Sequence, residues 1–302
     1  MEVAIATMTG IPPEFTDDAR LADAVGELGI AAELIPWDDP RTDWRCFDAV
    51  VIRSTWDYAR RRDEFLAWAG SVGGRLHNPP DLVRWNSDKR YLADFAAAGF
   101  PVVPTSFVAP AQPTPDLDGE VVVKPNVSAG GRDSGRFGPG AHRAARELIA
   151  AIQASGRSAM VQPFQPSVDS VGETAVLCID GEPLHALRKR AVLRPDEVAP
   201  VREDEVGAAE AMYDPSLVTP TEATAAERAL ARAIVAELGE RFGSLPLYAR
   251  VDLIPGAGGE PLLLELEAVE PNFYLGQVPG SVAPIATAIA ARANQSTLSA
   301  AS

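Results

Sequence analysis

Short apolar runs alternate with longer amphipathic segments in the first third of the chain. Runs at residues 3–6, 30–35 and 49–52 have the length of strands, and the segment between the first two carries apolar residues at helical spacing. Strands that alternate with helices along a chain predict a parallel sheet covered by helices. We therefore expect residues 1–88 to form an N-terminal α/β unit.

The pattern changes beyond residue 120, where strands follow one another across tight turns. Residues 174–179 and 183–187 flank Asp180-Gly181, a dipeptide typical of two-residue hairpins. Residues 247–254 and 261–267 form two further apolar strands around a glycine-rich turn. Because strands joined by short turns pair antiparallel, we expect an antiparallel sheet in this half of the chain.

Proline-rich and irregular stretches divide the chain into three predicted units. We place an N-terminal α/β domain at residues 1–88, a small lid subdomain at 89–160 and a C-terminal subdomain with the antiparallel sheet at 161–302. The expected fold class is therefore α+β. Residues 195–220 are acidic and bounded by prolines, which is typical of a loop or flap.

Composition restricts the class of protein. The chain of 302 residues has 27 basic against 42 acidic residues, a net charge of −15, and nucleic-acid binding relies on basic residues, so no nucleic-acid partner is expected. No run of about 18 apolar residues occurs, so no membrane partner is expected either. Two cysteines cannot form a disulfide framework, which makes a reducing cytoplasm the simplest location. A small-molecule ligand remains, and an anionic one needs positive charge concentrated locally.

Acidic side chains in the two C-terminal strands are spaced to share a sheet face. Side chains alternate between the faces of a strand, so Arg250 aligns with Asp252, and Glu265 with Glu267. If the strands pair, three carboxylates and one guanidinium meet on one surface. A hard divalent cation such as Mg²⁺ removes the repulsion between unpaired carboxylates. The alternative is a solvated sheet face with an Arg–Glu pair.

Positive charge and small residues follow two other predicted strands. Lys124 ends the valine-rich strand from residue 121, and Ser128-Ala129-Gly130-Gly131 comes shortly after it. Small residues let backbone N–H groups approach a phosphate closely, although the stretch matches neither the P-loop nor the dinucleotide fingerprint. Arg188-Lys189-Arg190 ends the predicted hairpin, where it could clamp a phosphate or a carboxylate. A plain surface loop and a solvated edge strand are the alternatives.

A charged and aromatic cluster follows the third N-terminal strand. Arg53, Trp56, Asp57 and Tyr58 lie at the carboxyl end of residues 49–52, where α/β sheets place ligands. We expect Arg53 to pair with a substrate carboxylate and Asp57 with its ammonium group. For Trp56 and Tyr58, packing in the core is the alternative.

Six segments occur in a characteristic order. They are Asn86-Ser87-Asp88-Lys89, Val121-Val122-Val123-Lys124-Pro125, Ser128 to Gly131, Met160-Val161-Gln162-Pro163-Phe164, Arg250-Val251-Asp252 and Glu265-Leu266-Glu267. This order resembles the ATP-grasp superfamily of carboxylate–amine and carboxylate–thiol ligases, over most of residues 86–275. No single segment is specific to the superfamily, but the ordered set is.

The resemblance implies an ATP-grasp fold with a pre-ATP-grasp domain, and ATP as a cofactor. Lys89 and Lys124 correspond to lysines that hold ATP phosphates, and the loop of Ser128, Ala129, Gly130 and Gly131 to the mobile loop over the γ-phosphate. Gln162 and Phe164 lie where the family contacts adenine, and Asp169 is a candidate ribose ligand.

The resemblance also implies Mg²⁺, with Asp252, Glu265 and Glu267 as its ligands. Arg250 and Arg188 are candidates to stabilise an oxyanion. Many members have Glu-x-Asn where this chain has Glu265-Leu266-Glu267, so the number of ions bound by Glu267 stays open. Asn272 is expected to be an outer ligand or a substrate contact.

Three further stretches are similar to one group within the superfamily. Residues 53–58, the hairpin from Gly172 to Arg190 and residues 270–275 are similar to the O-ureido-D-serine cyclo-ligases, which make the antibiotic D-cycloserine. The resemblance implies a carbon–nitrogen ligase that activates a carboxylate as an acyl phosphate and closes a ring by attack of nitrogen from the same molecule. An intermolecular peptide-bond-forming ligase and a nucleotide-binding regulator without chemistry are the alternatives.

Overall fold

The computed structural model describes residues 1–12, 15–193, 195–198 and 215–300. The flap predicted at 195–220 falls largely outside these residues. The described residues form three β-sheets with helices packed against them. No helix within these ranges is long and apolar enough to cross a bilayer.

The N-terminal unit is a parallel sheet covered by helices, as predicted. Its elements are β1 (Glu2–Thr7), α1 (Asp18–Glu27), β2 (Ala31–Pro36), β3 (Ala49–Ile52), α2 (Arg62–Val72) and β4 (Leu76–His77). The strands lie in the order β2-β1-β3-β4 and pair in parallel. All four residues of β3 are buried, which explains its continuous apolar sequence.

The middle of the chain supplies two helices followed by a small antiparallel sheet. The elements are α3 (Pro80–Asn86), α4 (Tyr91–Ala97), β5 (Ser106–Val108), β6 (Val121–Pro125), β7 (Gly135–Phe137), α5 (His142–Ala154), β8 (Ala159–Pro163) and the short α6 (Ser167–Ser170). β6 pairs with both β7 and β8, and α5 packs its apolar side on this sheet through Ala145 and Ile149.

The last part of the chain supplies the third sheet. This part of the chain contains β9 (Glu173–Ile179), β10 (Glu182–Lys189), β11 (Glu197–Val198), β12 (Val218–Thr221), α7 (Ala225–Phe242), β13 (Tyr248–Pro255), β14 (Pro261–Glu267) and α8 (Val282–Ala300). The strands of the third sheet lie in the order β12-β10-β9-β13-β14, and all neighbours pair antiparallel. The antiparallel subdomain and its hairpin at Asp180-Gly181 are therefore confirmed. A capping box between Thr224 and Glu227 begins α7.

The three units do not follow the predicted chain boundaries. α3 and α4 flank the boundary at residue 88, yet both pack on the third sheet, through Leu82 and Tyr91. β8 spans the predicted boundary at residue 160, yet the whole strand belongs to the middle sheet, where it pairs with β5 and β6. β11 joins the middle sheet, and α8 returns to the first sheet through Ile285. Prolines mark loops, whereas packing decides which core an element joins.

Buried polar groups join the N-terminal unit to the third sheet. The Asn78 amide donates to the carbonyls of Tyr248 and Ala268, both at 2.8 Å. The Tyr248 hydroxyl contacts the carbonyls of Ile52, at 2.9 Å, and Val269, at 2.8 Å. Because buried polar groups are costly to leave unpaired, these bonds fix the segment after β14 against the N-terminal unit.

Candidate active site

A cavity of about 270 Å³ lies where the three sheets meet. The third sheet supplies a charged floor from β13 and β14. The middle sheet contributes Lys124 and Gln162, and the N-terminal unit contributes Trp56 and Tyr58. Concave sites with a few converging polar groups are typical of small-molecule binding.

The floor has the register that the sequence predicts. In the β13–β14 pair, Arg250 lies opposite Glu267, and Asp252 opposite Glu265, while Val251 belongs to the core on the other face. Arg250 and Asp252 are at most 2% exposed. The shared charged face is therefore confirmed, and a solvated sheet face is excluded.

Two cations hold the Asp252 carboxylate. Arg250 donates to both of its oxygens, with Nε–Oδ1 at 2.8 Å and Nη2–Oδ2 at 2.9 Å, and Lys189 Nζ lies 2.8 Å from Oδ2. Lys189 also contacts Glu173 at 3.0 Å. Burial opposes ionisation of Asp252, but these cations keep its pKa well below the usual range.

The other two lysines hold Glu265. Lys89 Nζ lies 3.3 Å from Oε1 and Lys124 Nζ lies 3.9 Å from Oε2. Lys89 also donates to the Ser128 carbonyl at 2.8 Å, which ties it to the glycine-rich loop. Burial lowers the pKa of Lys124, although Glu265 opposes this shift. Two ammonium groups therefore stand side by side, an arrangement that favours an anion between them.

The placement of lysine in this chain is itself informative. The sequence contains three lysines, Lys89, Lys124 and Lys189, and all three line the cavity. Lysine is a compact point charge on a flexible stem, which suits phosphate. Sequence reasoning included Lys189 in the predicted clamp of Arg188-Lys189-Arg190 but gave it no role of its own, and the restriction of lysine to so few positions was the available signal.

Two carboxylates of the cavity carry charge that the chain does not fully compensate. Glu267 contacts Arg250, which Asp252 shares. Burial and repulsion from Asp252 and Glu265 outweigh Arg250 and raise the pKa of Glu267 to about 7. Burial and repulsion from Glu267 raise the pKa of Glu270 to about 8. A cation from a ligand would relieve both groups.

Of the three predicted Mg²⁺ ligands, Glu265 and Glu267 line the cavity directly. Within the described residues, no group of three acidic, His or Cys side chains is gathered for a metal ion. Asp252 is occupied by Arg250 and Lys189, so it would have to exchange partners to become a ligand. Carboxylate oxygens suit Mg²⁺, and the raised pKa of Glu267 indicates a need for positive charge.

The glycine-rich loop borders the same cavity. Ser128, Ala129, Gly130 and Gly131 all line it, and Ala129 packs against the aromatic core of the N-terminal unit. Gly130 and Gly131 have φ of +66° and +70°, a backbone conformation that glycine adopts without strain. The loop therefore reaches from the middle sheet across the cavity.

The expected adenine contacts lie at the cavity, but the expected ribose ligand does not. Gln162 and Phe164 line it, and Gln162 Nε2 donates to Thr105 Oγ1 at 2.8 Å. Asp169 is not part of the cavity lining. Its carboxylate binds Arg136 at 2.8 Å, because that guanidinium, which stacks on Phe164, needs a counter-charge.

Strand alternation places Arg188 on the wrong face for the predicted oxyanion role. Arg188 lies opposite Thr174 in the β9–β10 pair, and Thr174 Oγ1 donates to Glu227 of α7 at 2.6 Å. Arg188 therefore faces α7. Its neighbour Lys189 points to the floor instead, where it meets Asp252.

Arg53 supports the fold rather than lining the cavity. It is 4% exposed. Nη1 donates to the Pro271 carbonyl at 2.7 Å, Nε lies 3.3 Å from Asp18, and the guanidinium stacks 3.4 Å from the Phe273 ring centroid. These contacts consume the charge that sequence reasoning assigned to a substrate carboxylate.

Asp57 also lies outside the cavity lining. It accepts a hydrogen bond from Trp37 Nε1 at 3.0 Å and lies 3.7 Å from Arg61. The predicted ammonium partner is therefore committed elsewhere. Trp56 and Tyr58 do line the cavity, as does Asn272, and Tyr58 belongs to the N-terminal core as well. Sequence reasoning missed Glu270, which follows the charged strand after two buried residues.

The chain has the fold of the ATP-grasp ligases. Over 97% of both chains, the protein resembles an ATP-grasp ligase structure, PsnB with precursor peptide PsnA2 and AMPPNP, with a TM-score of 0.57 and 15% identity. The D-alanine–D-alanine ligase of Bacillus anthracis with ATP has a TM-score of 0.60 at 13% identity, over 99% of this chain and 98% of that one. These two likenesses concern the fold.

More similar proteins identify the family. Residues 3–78 match the family described as D-cycloserine synthetase DcsG, N-terminal domain. The cycloserine biosynthesis protein DcsG of Streptomyces lavendulae is 38% identical over 274 residues, which span 86% of this chain and 88% of that one. The crystal structure of D-cycloserine synthetase DcsG has a TM-score of 0.85 at 35% identity, covering 97% and 100%. The chain belongs to the DcsG family.

Proposed function

We propose that this chain is an ATP- and Mg²⁺-dependent cyclo-ligase that converts O-ureido-D-serine into D-cycloserine. The observation that carries the proposal is the cavity in which all three lysines of the chain meet the paired carboxylates of β13 and β14. The 38% identity to the cycloserine biosynthesis protein of Streptomyces lavendulae supports the choice of substrate.

The nucleotide would lie between the middle and third sheets. Lys89 and Lys124 would contact its phosphates, since both ammonium groups border the cavity beside the glycine-rich loop. The backbone N–H groups of that loop would contact the terminal phosphate. Gln162 and Phe164 would border the base.

Carboxylate activation is the first chemical step of the proposal. A carboxylate is a poor acylating agent, and transfer of the γ-phosphoryl group from ATP turns it into an acyl phosphate. Bound Mg²⁺, held by Glu265 and Glu267, would neutralise charge on the transferring group. The lysines hold the donor in place, and the walls of the cavity limit access of water to the acyl phosphate.

Ring closure is the second step. The nitrogen bonded to oxygen in the ureido-oxy group attacks the acyl carbon, and phosphate leaves. Because both ends belong to one bound molecule, the reaction is effectively unimolecular. Arg250 lines the cavity, and its guanidinium would stabilise the oxyanion that forms when the nitrogen attacks. Addition of water to the carbamoyl group then releases carbon dioxide and ammonia.

Release of ADP without any added amine tests this proposal. Purified protein with ATP, Mg²⁺ and O-ureido-D-serine alone should release ADP and form D-cycloserine, identified by mass spectrometry. A strict requirement for a second amine would contradict cyclisation and favour an intermolecular ligase. Absence of turnover with nucleotide still bound would favour a regulator.

A further inference from the structure

Glu270 is presented to the cavity from a fixed backbone. Its carbonyl accepts a hydrogen bond from Trp56 Nε1 at 3.3 Å, and the next carbonyl, that of Pro271, accepts one from Arg53 at 2.7 Å. The side chain lines the cavity together with Trp56 and Tyr58. Trp56 and Arg53 thus hold the main chain at Glu270 and at the residue after it, while the carboxylate faces the cavity.

Glu270 differs from the other glutamates of the cavity because it has no cationic partner among the described residues. Among the described residues, four glutamates line it, and three of these contact a cation of the chain. Glu173 contacts Lys189, Glu265 contacts two lysines and Glu267 contacts Arg250. Glu270 forms no ion pair with any described residue, and Lys89 acts on it only at longer range.

A half-buried carboxylate without a cationic partner is costly to ionise unless a ligand supplies the counter-charge. The proposed substrate is an amino acid, so it carries an ammonium group that needs an acidic partner. Asp57, the residue that the sequence suggested for this role, is committed to Trp37 outside the cavity. Trp56 and Tyr58 line the same cavity as Glu270, and aromatic side chains can stabilise a nearby cation.

We propose that Glu270, flanked by Trp56 and Tyr58, binds the α-ammonium group of the amino-acid substrate and selects for α-amino acids over acids without that group. The proposal rests on the proposed function for the identity of the substrate. It assigns a binding role and no proton transfer to or from the reacting atoms. It also orients the substrate, because the ammonium at Glu270 directs the neighbouring carboxylate toward the lysines and the floor.

Calorimetric titration tests the ammonium site without requiring turnover. Wild-type protein saturated with ADP and Mg²⁺ is titrated with O-ureido-D-serine and with 3-(ureidooxy)propanoic acid, which lacks the amino group. The wild type should prefer the amino acid by on the order of 30-fold or more, the usual effect of removing one partner of a buried charge pair. Glu270→Gln should reduce the preference to about threefold.

Asp57→Asn is the matched control, since it makes the same carboxylate-to-amide change outside the cavity and should keep the wild-type preference. An unchanged preference in Glu270→Gln, or a loss in Asp57→Asn alone, would overturn the proposal. If Glu270→Gln instead raises the Mg²⁺ concentration needed to bind ADP and keeps the preference, Glu270 is a metal ligand and the ammonium role is wrong.

The same titration separates this inference from the proposed function. Tight binding of the amino acid without ring closure would contradict the cyclo-ligase while leaving the ammonium site intact. Ring closure with an unchanged preference in Glu270→Gln would do the reverse. Failure of the wild type to bind either acid would contradict both.

Discussion

The carboxylates at the two ends of the cavity floor differ in how far cations of the chain compensate their charge. At one end, Asp252 and Glu265 each contact two cations of the chain. At the other, Glu267 shares Arg250 with Asp252, and Glu270 forms no ion pair with a described residue. The first end is neutralised before any ligand binds. We propose that the second end receives cations that arrive with ligands, namely an ammonium group at Glu270 and Mg²⁺, which Glu267 would hold together with Glu265.

We expect the largest loss of activity from a substitution at the neutralised end. Lys124→Ala should lower kcat/KM for ATP by about 10²–10³-fold, because it removes a preorganised charge from the transferring phosphate. The fold should survive, since Lys89 still holds Glu265. Arg143→Ala, on a side chain that is 92% exposed, is the control. Wild-type kinetics in Lys124→Ala would show that this end does not bind phosphate.

Stability should also distinguish the two ends. Asp252→Asn leaves Arg250 and Lys189 beside a neutral amide, and breaking a buried ion pair costs about 3 kcal/mol or more. Glu267→Gln removes a carboxylate that the chain compensates poorly, so unfolding free energy should stay equal or rise. Urea unfolding of nucleotide-free protein measures both. Equal losses in the two variants would erase the proposed difference.

The stability of the nucleotide-free protein should fall as pH rises from 6.5 to 8.5. The folded pKa values of Glu267 and Glu270, about 7 and about 8, lie above their ordinary value of 4.5. The folded state therefore keeps protons that the unfolded state has lost, and ionisation favours unfolding. The loss is up to about 1.4 kcal/mol per pH unit for each group.

Histidines do not obscure this window. Burial lowers the pKa values of His77 and His185, so their effect on stability is confined to lower pH. Thermal unfolding should show a Tm that declines by a few degrees, and Glu270→Gln should flatten the decline. A flat profile in the wild type would contradict the electrostatics of this end.

Lysine labelling offers a smaller but selective effect. Burial lowers the pKa of Lys124, whereas Asp252 and Glu173 raise that of Lys189 against the opposing effect of its burial. Lys124 should therefore react several-fold faster with an amine reagent near pH 8, and ADP with Mg²⁺ should protect it. Peptide mass spectrometry reads both sites, with the N-terminus as internal reference. Faster reaction at Lys189 would reverse the expected order.

Strand patterns predicted the site where side-chain direction follows from alternation alone. The pairing of β13 with β14 brings Arg250, Asp252, Glu265 and Glu267 to one face, as their spacing indicates. The same rule, carried through to β10, would have selected Lys189 rather than its neighbour.

Sequence reasoning failed where a charged residue had a choice of partners. Arg53, Asp57 and Asp169 have the residue types of ligand contacts, yet each is paired with a group brought close by the fold. A distant carbonyl such as that of Pro271 leaves no local signal in the sequence. Glu270 escaped notice for the opposite reason, because the absence of a cationic partner among the described residues becomes visible only in the folded structure.

The central claim is that the floor activates a carboxylate by phosphoryl transfer. Its most direct test uses O-ureido-D-serine labelled with ¹⁸O in the carboxylate. We expect one ¹⁸O atom in the inorganic phosphate for each ring closed, because the acyl oxygen leaves with the phosphoryl group. Unlabelled phosphate, with the lost ¹⁸O recovered in water instead, would contradict it.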